Sequence, residues 1–290
     1  MPDENGKVLK IIVHKGKAHR DDFLSICVLL GVSKEGDVVI QRKDVPADWE
    51  LKDPDIWVLD VGAVHDPRKR NFDHHMQGNP PETCTLSLLG EFLEYKGVKV
   101  GDLLKESKWF TTTCMMDNVG MGGVAEHLGI SKDAIMALSS PIESALLAQF
   151  GRRDLWTRGY VITAMREIGR DLLGYLYHAR EQMKSLEETV KVVTWGGQKV
   201  LFLENTDTTG LGRYREEKHP DASISISLNK RGEGWALYRY DDHPAVDFGL
   251  LKEMPEVSFA HQGGFLAITQ SKLAQKELKK LVTAAVVTAE

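Results

Sequence analysis

Four short stretches of the sequence concentrate imidazoles and carboxylates. The first is His14-x4-His19-x-Asp21-Asp22 and the second is Asp60. The third is Asp73-His74-His75, just after the basic run Arg68-Lys69-Arg70, and the fourth is Asp117-Asn118-Val119-Gly120. Imidazole nitrogens and carboxylate oxygens together suit zinc, manganese and iron, whereas magnesium and calcium favour oxygen alone. Taken singly, each stretch has an ordinary reading: a turn aspartate, two histidines pointing apart, a helix exit. Taken together they offer more ligands than one ion uses, and about what two ions sharing a bridging carboxylate would use. Two cations ~3.5–4 Å apart clamp the attacking and leaving oxygens of a phosphoryl transfer. The competing reading is a set of solvated residues at sheet ends.

Such a centre needs elements that bring the four stretches together. Val8 to Val13 is a short apolar run ending at His14, and Asp21-Asp22 opens an apolar helical segment from Phe23 to Leu30 closed by Gly31. Acidic residues suit a helix start and glycine suits its end. Asp37 to Arg42 and Asp55 to Val61 are further strand candidates. Strand, helix, strand with buried-looking strands predicts an α/β fold on a parallel sheet, in which ligands sit outside the carboxyl ends of the strands. His14 and Asp60 lie at those ends. Thr85 to Tyr95, Asp102 to Met116 and Ala164 to Glu188 read as helices, with an interruption at Pro141. The character then changes to short strands, Val190 to Thr194, Val200 to Leu203, Ala222 to Leu228 and Trp235 to Tyr240, closed by a helix over 270–287. The predicted organisation is a larger domain over 1–188 and a smaller α/β domain over 189–290.

Composition narrows the function. The chain has 290 residues, 42% hydrophobic and 27% charged, which excludes a disordered chain, a collagen or a coiled-coil rod. Its net charge of −5 excludes a global basic coat for nucleic acid but leaves room for a local patch. Cys27, Cys84 and Cys114 are scattered, with no CxxC pair, which argues against a disulfide framework or a cysteine-rich zinc site and for a reducing compartment. No apolar run approaches the ~18 residues of a membrane helix, and Met1 to Lys7 is too polar for a signal peptide. A cytoplasmic protein with no membrane partner is expected.

The same stretches carry a family resemblance. The sequence resembles the DHH phosphoesterase superfamily through Asp73-His74-His75, and within it the melanocyte-proliferating-gene family through "VHKGKAHRDD", "VLDVG", "DPRKRNFDHH", "MDNVG" and "FAHQGGF", in that order from His14 to Phe265. The resemblance implies a DHH-type first domain with two divalent ions, manganese foremost, with magnesium, zinc, cobalt and iron as alternatives. It makes His14, His19, Asp21, Asp60, His74 and Asp117 ligands, Asp60 the bridging and catalytic carboxylate, and His75 the histidine facing the substrate phosphate. His19 stands where many superfamily members have aspartate, which moves metal preference toward zinc or iron. Asp22 reads as a helix-start residue, and Asp73 as either an orienter of a neighbouring ring or a turn residue.

For the smaller domain the resemblance implies a substrate grip at His261, Gly263 and Gly264. Apart from the resemblance, Arg213, in a basic cluster with Arg215 and Lys218, and Arg239, at a strand end, read either as phosphate contacts or as ordinary surface arginines. Trp235 or Phe265 would stack on bases. The implied reaction is phosphodiester hydrolysis by a metal-activated water, in the 3′–5′ direction on short RNA or DNA. The partner is then a short single-stranded nucleic acid or nucleotide, and a homo-oligomer is compatible with it. Two alternatives stay open: a phosphatase or phosphodiesterase for a small molecule such as pyrophosphate, a cyclic dinucleotide or a nucleotide, and a non-catalytic metal-binding regulator.

Overall fold

A computed structural model of the chain describes residues 8–76 and 78–287. The polar stretch Met1 to Lys7 lies outside the described residues. The chain divides into two compact units, Met1–His178 and Ala179–Glu290. The division falls inside one long helix, Tyr160–Thr189, whose end coincides with the change of character near residue 189.

The first unit begins β1 (Leu9–His14), α1 (Arg20–Val32), β2 (Val38–Lys43), α2 (Asp48–Lys52), β3 (Ile56–Leu59), β4 (His65–Asp66) and β5 (Asn71–Phe72). It continues with α3 (Thr85–Phe92), the small hairpin β6 (Glu94–Tyr95) and β7 (Val98–Lys99), then α4 (Val100–Lys105) and α5 (Lys108–Leu128). It closes with α6 (Lys132–Ala137), α7 (Pro141–Gly151), β8 (Leu155–Trp156) and α8 (Tyr160–Thr189). The main sheet runs β4-β5-β3-β1-β2-β8; β5, β3, β1 and β2 are parallel, and β4 and β8 are antiparallel edges. Alternate residues of β1 explain why both faces must be covered. Ile11 and Val13 enter the main core with α1, α3 and α8, whereas Ile12 joins Ile56, Val58 and Val61 on the other face. Each such side chain contributes roughly 1.5–3 kcal/mol on burial.

Helix α1 is apolar nearly all round, with Ile26 to Leu30 fully buried. It meets α8 at Gly31 and Gly169, where a Cβ on Gly169 would lie 1.8 Å from the Cys27 carbonyl oxygen. Only glycine permits this crossing, and the crossing fixes the helix that carries two candidate ligands. Pro141 interrupts as predicted, by starting α7 at the position where a proline's missing N–H costs nothing. The predicted helix over 102–116 is two helices, broken after Lys105.

The second unit contains β9 (Lys191–Trp195), β10 (Gln198–Leu203), α9 (Leu211–Lys218), β11 (Ile224–Leu228), β12 (Trp235–Arg239), β13 (Val257–Ala260), β14 (Leu266–Thr269) and α10 (Gln275–Ala284). Its sheet is ordered β13-β14-β12-β11-β10-β9, and only β10 and β11 are parallel. The molecule is therefore mixed α/β: a largely parallel sheet in one unit and a largely antiparallel one in the other. Val200, Phe202, Ile224, Ile226, Trp235 and Leu237 pack one face against α10. This corrects the expectation for Trp235, which is a core residue and not a stacking surface, with its indole N–H donating to the Leu273 carbonyl. Among the described residues no helix is long and apolar enough to cross a membrane.

Candidate metal centre

The candidate ligands of the first unit gather at the carboxyl ends of β1, β3 and β5. His14 ends β1, Asp60 follows β3 and His74 follows β5 by two residues. His19 caps α1: its backbone N–H donates to Asp22 Oδ1 at 3.1 Å, which leaves Asp21 turned inward and buried. Asp60 adopts φ 57°, a left-handed conformation disfavoured for a side chain with Cβ. Its N–H donates to the Phe72 carbonyl at 2.9 Å, and Thr85 Oγ1 donates to its Oδ1 at 3.1 Å. Strained backbone of this kind, costing on the order of 1–3 kcal/mol, clusters at functional sites. Asp117 comes from α5, which kinks at Gly120 with φ 64° and ψ −175°. No atom crowds that position, so glycine is required there by conformation and not by space.

The side chains converge. His74 Nε2 lies 3.1 Å from Asp60 Oδ1 and 2.7 Å from Asp117 Oδ2. His14 Nε2 lies 2.8 Å from Asp22 Oδ2 and 3.5 Å from Asp60 Oδ2, and His19 Nδ1 lies 2.8 Å from Asp117 Oδ1. Three overlapping groups each bring their ligand atoms within 4.8 Å of one another: Asp60, His74, His75 and Asp117; His14, His19 and Asp60; His19, Asp21 and Asp117. Asp60, His19 and Asp117 each belong to two groups, so a carboxylate can serve two neighbouring ions.

The chemistry of these atoms fits cations. His14 Nε2, His74 Nε2, both Asp21 oxygens and one oxygen each of Asp22, Asp60 and Asp117 are buried without a hydrogen-bond partner. The histidine nitrogens face carboxylates at 2.7–3.1 Å as ion pairs, whereas the Asp21 oxygens face no such partner. Buried carboxylates left so cost several kcal/mol unless a charge answers them. Divalent ions would.

The rings are aimed from behind. His14 Nδ1 donates to the Lys15 carbonyl at 2.8 Å, which directs Nε2 toward Asp22 and Asp60. Asn118 does the same for His74. Its Nδ2 donates to the carbonyls of Pro81 at 3.0 Å, Cys114 at 3.1 Å and Thr83, so its Oδ1 must face the other way, 3.2 Å from His74 Nδ1. His75, in contrast, is half-exposed, and its Nδ1 donates to Asp73 Oδ1 at 2.8 Å while Asp73 Oδ2 accepts from the Ala63 N–H at 2.6 Å. Asp73 thus orients the half-exposed His75 ring through its Nδ1.

Sequence reasoning passed over three residues here. Asn118 was visible only as part of Asp-Asn-Val-Gly. Asp22 starts α1 as expected but also faces His14. Thr85 is a helix-start residue whose hydroxyl reaches Asp60. The basic run stays peripheral: Arg68 is 93% exposed at its side chain, and the Arg70 guanidinium lies 4.9 Å from the Trp57 ring centroid.

Titration follows the crowding. Burial works to lower the His14 pKa, but the Asp22 carboxylate outweighs it and raises the pKa to about 9. His19 is raised chiefly by its contact with Asp117. His74 is raised by Asp117 and Asp60 against the opposing effect of burial. Asp21 is pushed well above the usual carboxylate range by burial and then by the charges of Asp60, Asp117 and Asp22. Asp117 falls below that range because His19 and His74 overcome its burial. Protons thus occupy positions that a metal would take.

In the second unit, the turn His261 to Gly264 is internally bonded. The Gly263 N–H donates to His261 Nδ1 at 3.0 Å, and the Gly264 N–H donates to the His261 carbonyl at 2.9 Å. Both N–H groups are therefore engaged, and His261 Nε2 keeps its proton to donate. Gly264 has φ 67°, and a Cβ there would lie 2.1 Å from Asp247 Oδ1. Arg239 braces the turn, donating to the carbonyls of Gly263 at 3.0 Å and Val246 at 2.8 Å and to Asp242. Arg213 pairs with Glu217 along α9.

Residues 10–85 match the family model MYG1_exonuc, described as Uncharacterised protein family (UPF0160). That span, about a quarter of the chain, contains His14, His19, Asp21, Asp60, His74 and His75; Asp117 and the 261–265 turn lie beyond it. No curated protein matches the sequence. Among solved structures, a pGpG-specific phosphodiesterase, PggH, of Vibrio cholerae aligns over 95% of this chain and 99% of its own, at 12% identity and a TM-score of 0.29. An uncharacterized protein of Helicobacter pylori G27 aligns over 96% and 99%, at 10% identity and a TM-score of 0.24. Likenesses this weak do not define a shared fold. The family match, over the part of the chain that carries most of the candidate ligands, is the firmer of the two findings.

Proposed function

We propose that the chain is a divalent-cation-dependent phosphoesterase that hydrolyses phosphodiester bonds, with short single-stranded RNA or DNA as substrate, degraded from the 3′ end. The observation that carries this reading is the convergence of the nitrogen and oxygen atoms of His14, Asp21, Asp22, Asp60, His74 and Asp117 at one end of a parallel sheet, with both Asp21 oxygens buried and facing no partner. The family match over residues 10–85 supports the hydrolase assignment. His14, His19, Asp21, Asp60, His74 and Asp117 would hold the ions, with Asp60 shared between two of them. When bound, the ions supply Lewis acidity and an activated water. His75, held by Asp73, offers Nε2 to a phosphate oxygen. Thr85 and Asn118 keep Asp60 and His74 in place. The second unit is assigned the substrate grip through His261. A cytoplasmic setting accords with three free, buried cysteines.

The test is reconstitution with Mn2+, Mg2+, Zn2+ or Co2+, followed by end-labelled RNA and DNA oligomers, pyrophosphate and cyclic dinucleotides. Stepwise shortening from the 3′ end supports the reading. Turnover of only the small substrates replaces it with the small-molecule alternative. Metal uptake without any turnover makes the chain a metal-binding regulator.

A further inference from the structure

We propose that one face of the second unit's sheet is a stacking site for the bases of a single-stranded nucleic acid. Register defines the face. Tyr238 stands opposite Leu266 and Ser225, Ala236 opposite Ile268 and Ser227, and Phe259 opposite Ile268. Side chains opposite one another share a face, and these lie on the side away from Trp235, Leu237, Ile224, Ile226 and Ala267, which fill the core. Near β10 this second face is covered, because Leu201 and Leu203 pack with Leu186, Leu211 and Tyr214. Toward β12–β14 the cover ends: Tyr238 is 42% and Phe259 46% exposed.

Four rings, Tyr238, Phe265, His261 and Phe259, run across that open part, and Tyr240 joins them at its covered edge, where it packs against the cluster under β10. Tyr240 contacts Tyr238 at 5.3 Å between centroids, Tyr238 contacts Phe265 at 6.3 Å, Phe265 contacts His261 at 4.1 Å, and His261 contacts Phe259 at 6.3 Å. A lone exposed aromatic needs no explanation, but an unbroken row does. A depression of about 450 Å³ beside the row is lined by Ser225, Ser227, Tyr238, Tyr240, Lys230 and Arg231. Lys230 and Arg231 make no ion pair with the described residues, and the Arg215 guanidinium lies 5.2 Å from the Tyr240 ring centroid.

The chemistry selects the occupant. Flat rings in a row offer faces for planar groups and do not discriminate among bases, while two unpaired cations at the rim suit the phosphates that join them. In a chain of net charge −5, such a local cationic rim beside exposed rings fits a flexible polyanion carrying aromatic groups better than an apolar protein face. This inference gives the substrate of the hydrolase reading a binding surface and rests on that reading for its purpose, but base stacking itself needs no metal. The two can therefore fail separately.

The experiment measures fluorescence anisotropy of a labelled oligo-dT or oligo-U, roughly ten nucleotides long, with the full chain in EDTA. Tyr238→Ala and Phe259→Ala are each expected to weaken binding about five- to a hundred-fold, and Tyr238→Trp to restore it. An abasic oligomer of equal length should bind weakly to every variant. Lys230→Ala with Arg231→Ala should flatten the salt dependence by about one to two counterions. The proposal is overturned if the wild type does not bind the oligomer, if the abasic strand binds as well as the base-bearing one, or if the alanine variants bind like wild type. It is also overturned if those variants alter only the oligomeric state, which would make a second copy the occupant. Stacking that survives with no metal-dependent hydrolysis would retain this site and discard the hydrolase.

Discussion

Removing the Asn118 side chain should weaken metal binding through His74 alone. In Asn118→Ala, the three carbonyls of Pro81, Thr83 and Cys114 lose a donor, and His74 Nδ1 loses the acceptor 3.2 Å away. The Pro81 and Thr83 carbonyls lie near the surface, where water can replace the amide. The ring is different. With nothing to hold its Nδ1 proton, His74 can flip or change tautomer, and Nε2 no longer points between Asp60 and Asp117 for all of the time. Losing a hydrogen bond behind a metal-bound histidine costs typically 10–100-fold in affinity, or about 1.4–2.7 kcal/mol. The assay is competition with a chromophoric chelator for Mn2+ and Zn2+, on Asn118→Ala, His74→Ala and the double variant. If Asn118 acts through His74, the double variant binds no more weakly than His74→Ala. Histidine nitrogen NMR of the Zn2+-loaded protein should show Nδ1–H with Nε2 metal-bound on His74 in the wild type and a loss of that signature in Asn118→Ala. Additive losses in the double variant, or wild-type affinity in Asn118→Ala, would refute the reasoning.

Four other outcomes are expected. Asp60→Asn keeps the left-handed backbone, which asparagine tolerates, but should take metal content below the wild-type level and hydrolysis to background, read by metal analysis and oligonucleotide turnover. The metal-free protein should lose stability as pH rises: His14, with a folded pKa of about 9 against 6.5 unfolded, stabilises fully below pH 6.5 and ceases to as pH passes 9, and the raised Asp21 acts in the same sense. Melts with and without metal between pH 6 and pH 9 check this, since metal replaces the protons and should remove the decline. Gly169→Ala forces a Cβ onto the Cys27 carbonyl and should lower Tm by several degrees or more, as overpacking by about 1–3 kcal/mol does in a unit of this size. His261→Ala should leave metal content unchanged and lower kcat/KM on an oligonucleotide roughly ten- to a hundred-fold, the loss of one hydrogen bond to a charged group.

How much of this could be read from residue order depends on what holds each feature in place. The buried parallel strands β1 and β3 were legible because both faces of such strands must be apolar, so Ile11-Ile12-Val13 and Ile56-Trp57-Val58-Leu59 announce themselves. β5 and β8 were not, because two-residue strands carry no period: Asn71-Phe72 and Leu155-Trp156 become strands only by pairing with β3 and β2. The same division runs through the site. His14, Asp60 and His74 declare themselves as imidazole or carboxylate at strand ends. Asn118 and Thr85 act through hydrogen bonds to groups 44 and 25 residues away, and such bonds have no local signature. Trp235 shows the converse error. An aromatic on a strand was expected to face a ligand, but alternation sends Trp235 into the core and its neighbour at three residues' distance, Tyr238, to the open face. Parity along one strand therefore separates a packing role from a binding one. Residue type alone cannot make that separation, because tryptophan and tyrosine suit both environments. What decides it is which face of the sheet α10 covers, and that is a property of the whole unit.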